Sequence, residues 1–377
     1  MKALALHSGG LDSTLAIRLI LDQGIEVQSL HFVSVFDCGM EERDSCRAAR
    51  LSAEQLGVPA RYENFSDDLL RLVKNPPHGH GRHMNPCIDC HARMMQRAAA
   101  LMPEVGASFL ISGEVLGERP MSQRREALGI VEREAGVEGL LLRPLCAKLL
   151  DPTVPEQKGW VDRERLLGIS GRCRKPQLDL AKKCGITKFP TPAGGCLLTD
   201  PGFALRMKDL LTVNPACTPE DVRLLKVGRH FRIEPAGRLA MGRNEGENTW
   251  IERLGSEGDL LMEAADVPGP VALLRGGKVG GVCAEKAQAV VGARHALPLR
   301  SDAAHIAPDP EEAIALAASL TAHYGKGGSQ AVVRVRLRVP GSEEARFLEV
   351  APAAQELVER LRIGASTPDS GGDRGRE

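Results

Sequence analysis

The sequence predicts an α/β protein, a doubly wound parallel sheet followed by a second, smaller α+β domain. Three observations predict it. The chain opens as strand, glycine turn, helix and strand. Strands and helices then alternate for about two hundred residues, the pattern of an open parallel sheet covered on both faces. After Asp200 the segments shorten and Gly-rich turns separate them.

Taken in order, Lys2 to Leu6 is a short apolar run, Leu11 to Asp22 has apolar residues at helical spacing, and Glu26 to Val35 is strand-like again. A helix is expected from Glu41 to Leu56, ended by Gly57 and Pro59, with another strand beginning at Ala60 to Tyr62. Asn75 to Asn85 contains Pro-Pro-His-Gly-His-Gly-Arg-His, which suits a long loop, and a helix should follow from Asp89 to Met102. Ser108 to Ser112 and Leu140 to Arg143 read as strands, and Asp162 to Lys183 as one or two helices. They feed the segment Phe189-Pro-Thr-Pro-Ala-Gly-Gly-Cys196. A mixed unit should span Leu210 to Gly292. Val332 to Val339 alternates strictly, giving a half-buried strand with Arg334, Arg336 and Arg338 outward, read as an edge strand charged against aggregation. The expected division is therefore 1–200, 201–300, a C-terminal extension over 301–363, and a disordered tail over 364–377.

Composition narrows the class of protein. With 377 residues, 43% hydrophobic and 26% charged, the chain is neither disordered nor fibrous. No apolar run reaches the roughly 18 residues of a membrane span, and the N-terminus passes from Met1-Lys2 directly into the first strand and turn without a secretory pattern. A cytoplasmic location without membrane partners follows as the expectation. Lys plus Arg and Asp plus Glu both number 49, so any nucleic-acid site must be a local patch. The marked excess lies at Arg172, Arg174, Lys175, Lys182, Lys183 and Lys188, which face only Asp179. Phosphate contact and a plain solvated face are both open there. Ten Cys without a secretory signal point to a reducing compartment. Cys38, Cys46, Cys146, Cys217 and Cys283 read as small buried hydrophobes.

His7-Ser8-Gly9-Gly10-Leu11-Asp12-Ser13 falls where the first strand turns into the first helix. The glycines let the backbone approach an anion, Ser8 and Ser13 add hydroxyl donors, and the helix N-terminus adds free amides. The turn lacks the Lys and spacer of the Walker loop and the third Gly of the dinucleotide fingerprint. Ser-Gly-Gly-Leu-Asp-Ser resembles the pyrophosphatase loop of the ATP-pyrophosphatase superfamily, whose members cleave ATP between the α and β phosphates and adenylate a carbonyl oxygen. Ile111-Ser-Gly-Glu-Val-Leu-Gly117, Ser122-Gln123 and Arg143-Pro-Leu145 resemble the nucleotide-binding stretches of the tRNA 4-thiouridine synthetase family. That resemblance covers about 190 residues and implies an adenine nucleotide α-hydrolase-like fold. It implies ATP with Mg²⁺ on Ser8, Gly9, Gly10, Leu11, Asp12 and Ser13, with Gly113, Glu114, Ser122 and Gln123 as further nucleotide contacts. Asp12 would organise metal or substrate at the phosphates.

Asn85-Pro86-Cys87-Ile88-Asp89-Cys90 sets two thiols at a loop-to-helix entry, where a helix N-terminus favours thiolate and a metal could be shared. Cys196 follows Ala193-Gly194-Gly195. Asn-Pro-Cys-x-x-Cys resembles the corresponding segment of tRNA 2-thiouridylases. The pair with a later cysteine resembles thiouridine synthetases that hold a [4Fe–4S] cluster on three cysteines. By that resemblance Cys87, Cys90 and Cys196 would hold a cluster whose open iron binds sulfide. Zinc drawing on His78, His80, His83 and His91, persulfide chemistry between Cys87 and Cys196, and a reduced pair in a turn remain open.

Lys226-Val-Gly-Arg229-His-Phe-Arg232 and Met241-Gly-Arg243-Asn244-Glu-Gly-Glu-Asn248 resemble the RNA-binding domain of ribosome-quality-control and fibronectin-binding-like proteins. Arg229, Arg232 and Arg243 would meet phosphate and ribose. Aromatics are 3% of the chain, so shape and backbone contacts would outweigh base stacking.

Together these features read as an ATP-dependent tRNA sulfurtransferase that adenylates a uridine carbonyl and exchanges its oxygen for sulfur, giving 4-thiouridine or 2-thiouridine. Its partners would be tRNA and sulfide or a sulfur-donating protein, and a homodimer is left open. Two other classes compete: a small-molecule adenylating or sulfur-inserting enzyme, and a non-catalytic RNA-binding factor.

Overall fold

The protein is described from a computed structural model covering residues 1–39, 42–189, 196–233, 237–276 and 310–364, with backbone alone at 42–45. It divides into two compact units, Met1–Asp200 and Pro201–Glu377.

The first unit holds β1 (Lys2–Leu6), α1 (Leu11–Leu21), β2 (Glu26–Val33), α2 (Glu42–Leu56), β3 (Ala60–Asn64) and α3 (Ser66–Lys74). Then come α4 (Cys87–Val105), β4 (Phe109–Ser112), α5 (Arg125–Ala135), β5 (Leu141–Leu142), α6 (Val154–Gln157) and α7 (Lys175–Lys183). The five strands run parallel in the order β3-β2-β1-β4-β5. Successive side chains of a strand point to opposite faces, and both faces are covered. Ala3 and Ala5 pack with Ile17 and Ile20 of α1 and Ala53 of α2. Leu4 packs with Met95 and Ala98 of α4 and Val131 of α5. The chain leaves β1 first to one side and later returns to the other, so strand order reverses between β1 and β4. Leu6 is level with Leu30 and with Ser112, so the turns that follow β1 and β4 open side by side at the carboxyl edge, where such sheets bind ligands.

Three local differences from the sequence expectation have physical reasons. The loop-entry helix begins at Cys87 and runs past Pro103 to a left-handed Gly106; a proline this late forfeits one backbone bond that packing offsets. The short helix α3 was not expected. Its apolar side is Leu69, Leu70 and Val73, and Asp67 and Asp68 favour its N-terminus. Between Asp162 and Lys175 only a 3₁₀ turn forms, at Arg163–Arg165. The stretch after it is extended and bridges Ser170 to Leu116.

The second unit holds α8 (Pro201–Val213), α9 (Pro219–Leu224), β6 (Arg229–Ile233), β7 (Gly237–Met241), α10 (Glu245–Leu254), β8 (Leu260–Ala264) and β9 (Ala272–Arg275). It continues with α11 (Pro310–His323), β10 (Val333–Arg338), β11 (Ala345–Val350), α12 (Gln355–Leu361) and β12 (Arg362–Ile363). The strands form one antiparallel sheet, ordered β11-β10-β8-β9-β7-β6-β12. Residues on either side of 300 therefore share a sheet, and Ala313, Ile314 and Ala317 of α11 share a core with Phe231, Met262 and Val335. The expected separation of 201–300 from 301–363 has no counterpart among the described residues. The edge-strand reading of Val332 to Val339 also needs correction, because β10 lies between β11 and β8. Its arginines do stand on the more exposed face, as the alternation predicts, and each also meets a carboxylate: Arg334 pairs with Asp266 at 2.7 Å, Arg336 with Glu263 at 3.2 Å and Arg338 with Glu252 at 2.6 Å. Residues 190–195, Cys283 and 365–377, on which other expectations rest, lie outside the described residues.

Candidate functional site

The turn after β1 depends on Gly9, a position no other residue fits. Gly9 has φ +76°, and a Cβ on it would stand 2.3 Å from the Ala49 nitrogen. Hydroxyls close the turn: Ser8 Oγ meets Ser13 Oγ at 3.2 Å, and Ser13 Oγ and Thr14 Oγ1 donate to the Gly10 carbonyl at 3.0 and 2.9 Å. Thr14 also meets Ser52 of α2 at 2.7 Å, and Ser52 meets His7 Nε2 at 2.9 Å. Burial and then the neighbouring His31 push the His7 imidazole down to about 4, so it is neutral at pH 7. Gly10 caps α1 without a side-chain bond. The first amides of the helix thus keep their donors, beside the partly exposed Gly10 and exposed Ser8.

Asp12 lies in the first turn of α1. Burial pushes its carboxyl up, opposed by Arg174, Gln177 and Arg119. Glu118 is raised by burial and then by Asp12, against Arg119 and Arg174. Asp12, Glu118, Arg119 and Arg174 therefore form one charged group beside the turn. Arg174 reaches it because the backbone of Gly171 donates to Leu116 at 2.8 Å, which ties the start of α7 to the loop after β4.

The residues after β4 divide into two roles. Gly113 allows its loop to touch the start of α1. Glu114, expected as a nucleotide contact, is buried and fully engaged: its Oε2 accepts from Arg143 Nε at 2.9 Å and Ser112 Oγ at 3.0 Å, and its Oε1 meets His91 Nδ1 at 2.8 Å. Arg143 also pairs with Glu132. Burial alone would raise the Glu114 carboxyl, but Arg143 and then His91 hold it down to about 2. Glu114 thus locks α4 to the carboxyl edge of the sheet. Gln123 is likewise occupied, with its Oε1 accepting from the Arg119 amide at 3.0 Å and its carbonyl from Gly117 at 2.8 Å, which closes the 117–123 loop. Ser122 is buried beside it.

Two backbone bonds bring the late cysteine to the early pair. Leu197 donates to the Phe36 carbonyl at 3.0 Å and Met84 to the Leu198 carbonyl at 3.2 Å. These bonds clamp Cys196 between the loop after β2 and the loop before α4. Desolvation is the first cause of raised pKa at all three thiols. Cys90 is also raised by Cys196 and Cys87, and Cys196, pushed up to about 12, by Asp37, Cys87 and Cys38. Cys87 differs: Arg119, the amide at the start of α4 and Asn85 oppose the rise. It is the thiol of the three best placed to ionise. Among the described residues no group of three or more His, Cys, Asp or Glu side chains is arranged to hold a metal ion. The loop histidines are otherwise engaged, with His78 Nδ1 at 2.7 Å from Asp89 Oδ1 and His80 Nε2 at 3.0 Å from the Val73 carbonyl.

Among the basic residues expected to meet RNA, Arg172, Lys175, Lys182 and Lys183 are exposed, whereas Arg174 turns to Asp12. In the second unit Arg243 pairs with Glu247 at 2.5 Å, Arg232 pairs with Asp209, and Arg229 lies 4.6 Å over the Tyr324 ring. Asn248 Oδ1 accepts from Val271 at 3.0 Å, and Asn244 caps α10.

Sequence reasoning missed Arg119, Gln177, Asp37 and Cys38. Cys38 was read as inert and buried, but it is exposed and borders Cys196. The one signal available for Gln177 was its place four residues before Ala181, on the buried stripe of α7.

The first unit is thus a parallel α/β sheet with a glycine turn at its switch point and a buried ion-paired network under the neighbouring turn. Residues 1–149 match the family model described as thiamine biosynthesis protein (ThiI), and residues 228–296 match the NFACT protein RNA binding domain. The chain is 31% identical over 128 residues to a tRNA-specific 2-thiouridylase of Geobacter metallireducens, covering 30% of this chain and 34% of that protein. It is 29% identical over 119 residues to a probable tRNA sulfurtransferase of Methanothermobacter thermautotrophicus, covering 31% and 30%. The match spans about a third of the length of these relatives. A solved 4-thiouridine synthetase–RNA complex with bound ATP aligns over 60% of this chain and 52% of its own, at 21% identity and TM-score 0.34. The C-terminal part of a fibronectin/fibrinogen-binding protein from Streptococcus suis aligns over 79% and 97%, at 11% identity and TM-score 0.26. No described helix is long and apolar enough to cross a membrane.

Proposed function

We propose that the chain is an ATP-dependent tRNA sulfurtransferase. The observation that carries this reading is the convergence at one sheet edge of an anion-binding glycine turn and three cysteines clamped together by the Phe36–Leu197 and Met84–Leu198 backbone bonds. An adenylating turn alone would fit many ligases; the thiols beside it supply sulfur chemistry.

ATP would lie on Ser8 to Ser13, its phosphates facing the free amides of α1 and its charge answered by Arg119, Arg174 and Mg²⁺. A uridine carbonyl oxygen attacks the α-phosphorus and pyrophosphate leaves, so a poor leaving group becomes AMP. Sulfur then attacks the activated carbon and AMP departs. On thiols alone, the Cys87 thiolate takes sulfane sulfur from a protein persulfide, whose own thiolate leaves, and the outer sulfur of the Cys87 persulfide makes that attack. The Cys196 thiolate attacks the Cys87 sulfur of the mixed disulfide, releasing the thiolated base, and a dithiol reductant reopens the Cys87–Cys196 disulfide.

The donor set of Cys87, Cys90 and Cys196 is that of iron–sulfur ligation, and a bound [4Fe–4S] cluster would supply sulfide delivery there. Among the described residues these side chains do not stand as a metal-holding group. The Arg172 to Lys183 face and the NFACT-type domain would hold the tRNA backbone, which makes binding fall with salt. Whether the product is 4-thiouridine or 2-thiouridine follows from how the base is presented.

Purified protein with ATP, Mg²⁺ and tRNA, given sulfide in one arm and a persulfide-bearing sulfur-donor protein with a dithiol in the other, tests the reading. Pyrophosphate release that requires tRNA, with thiouridine formed, supports it; release with small carbonyl substrates and none with tRNA would replace it by a small-molecule adenylating enzyme. Anaerobic iron and labile-sulfide determination separates the cluster from persulfide chemistry.

A further inference from the structure

Four buried polar atoms at one place make no hydrogen bond of good geometry within the protein: Asp12 Oδ1, Arg174 Nε, and both Nε2 and Oε1 of Gln177, although the Gln177 amide lies near enough to Asp12 to draw its carboxyl down. Gln177 is 0% exposed. Helix α7 packs on α1 through Leu180 and Ala181 against Leu11, Leu15 and Ala16. Gln177, one turn ahead of Ala181, therefore meets the first turn of α1, where Asp12 lies, and Arg174 is the N-cap residue of α7. An apolar residue at 177 would simply extend the Leu11–Ala181 core. A buried amide with donor and acceptor both unmet lowers stability instead, and such groups call for an explanation. Orphaned groups on two elements, gathered beside the glycine turn, fit a ligand that completes them.

The atoms define that ligand's chemistry. Arg174 Nε and Gln177 Nε2 donate, which suits phosphate oxygens. Asp12 Oδ1 and Gln177 Oε1 accept, which suits the waters of a hydrated divalent cation. Arg119 adds positive charge on the same side.

We propose that Gln177 and Arg174 complete the nucleotide site on its Asp12 side, where the phosphates and hydrated cation of a bound nucleoside triphosphate supply the partners these atoms lack. The proposal rests on the nucleotide reading of the Ser8–Ser13 turn. It adds Gln177 of α7 to that site and gives Arg174, the residue before α7, a direct contact there, both far in sequence from the turn.

Calorimetric titration of the full chain with ATP and Mg²⁺, beside thermal unfolding of the unliganded protein, tests it. Gln177→Leu should melt at the wild-type temperature or higher, because an unmet polar group is gone, yet bind ATP at least tenfold more weakly. Arg174→Gln should weaken ATP by a similar factor without lowering the melting temperature. Wild-type ATP affinity in Gln177→Leu would overturn the proposal and leave a buried structural amide. Should Gln177→Leu fail to fold, wild-type affinity in Arg174→Gln overturns it equally. A wild-type protein that binds no ATP fails differently, since the reading of the turn itself then falls.

Discussion

Gly113 stands against the start of α1: a Cβ on it would lie 2.4 Å from the Ser13 backbone nitrogen and 2.5 Å from the Ser13 Cα. The turn after β4 thus abuts the turn after β1, and the glycine turn is shaped by both strands flanking the switch point. Since the obstruction is backbone, no rotamer change relieves it.

Gly113→Ala should therefore cost roughly 1–3 kcal/mol of stability and displace the Ser13 end of the turn. Thermal unfolding and ATP titration of this variant should both fall. Gly9→Ala should do at least as much, because it adds a positive φ to an overlap with Ala49.

Glu114 is a structural carboxylate in this account. Glu114→Ala leaves Arg143, 2% exposed, without its main counter-charge. The loss of stability should be about 3–5 kcal/mol, read by denaturant unfolding. A Glu114→Leu, Arg143→Met pair should recover much of that loss. Recovery of stability without recovery of activity would show that the pair also serves the reaction.

His7 gives the first unit an acid-side slope. Its pKa is lowered to about 4 in the folded protein, so between pH 6.5 and 4 the unfolded chain binds a proton that the native state refuses. Stability is full above pH 6.5 and falls as pH drops through this window, by about 3 kcal/mol at its lower end. Melting temperature against pH should show that slope, and His7→Gln should flatten it. Glu114, held at about 2, contributes stability present above its unfolded value near 4.5 and lost as pH falls towards 2, a separate and more acidic limb.

Among the three clamped thiols, Cys87 should alkylate first. Desolvation raises all three, but only Cys87 is opposed by Arg119 and the amide at the start of α4. Native-state labelling with iodoacetamide followed by peptide mass spectrometry should rank Cys87 ahead of Cys90 and Cys196, and Arg119→Ala should narrow the gap.

Much of this was legible in the sequence, for reasons that differ by element. The run Lys2 to Leu6, the glycines at 9 and 10 and the helical spacing from Leu11 are local signals, and they mark β1, the turn and α1 closely. Cys87 and Cys90 could be paired from spacing, but what clamps Cys196 beside them is a pair of long-range backbone bonds from Phe36 and Met84 that no local pattern encodes. Glu114 looked like a ligand contact because its motif does; the buried guanidinium of Arg143 that occupies it comes from the next strand's end. Val332 to Val339 showed its alternation plainly, yet alternation does not say whether a strand is central or edge. The carboxylates that answer Arg334 and Arg336 lie about seventy residues earlier.

The central claim is that sulfur handled by Cys87 and Cys196 ends on a tRNA uridine. Nucleoside mass spectrometry of bulk tRNA from the source organism lacking this gene, complemented by wild type, Cys87→Ser or Cys196→Ser, tests it most directly. The account predicts that one thiouridine species disappears, returns with wild type and stays absent with either variant. A thiouridine profile unchanged by loss of the gene would contradict it.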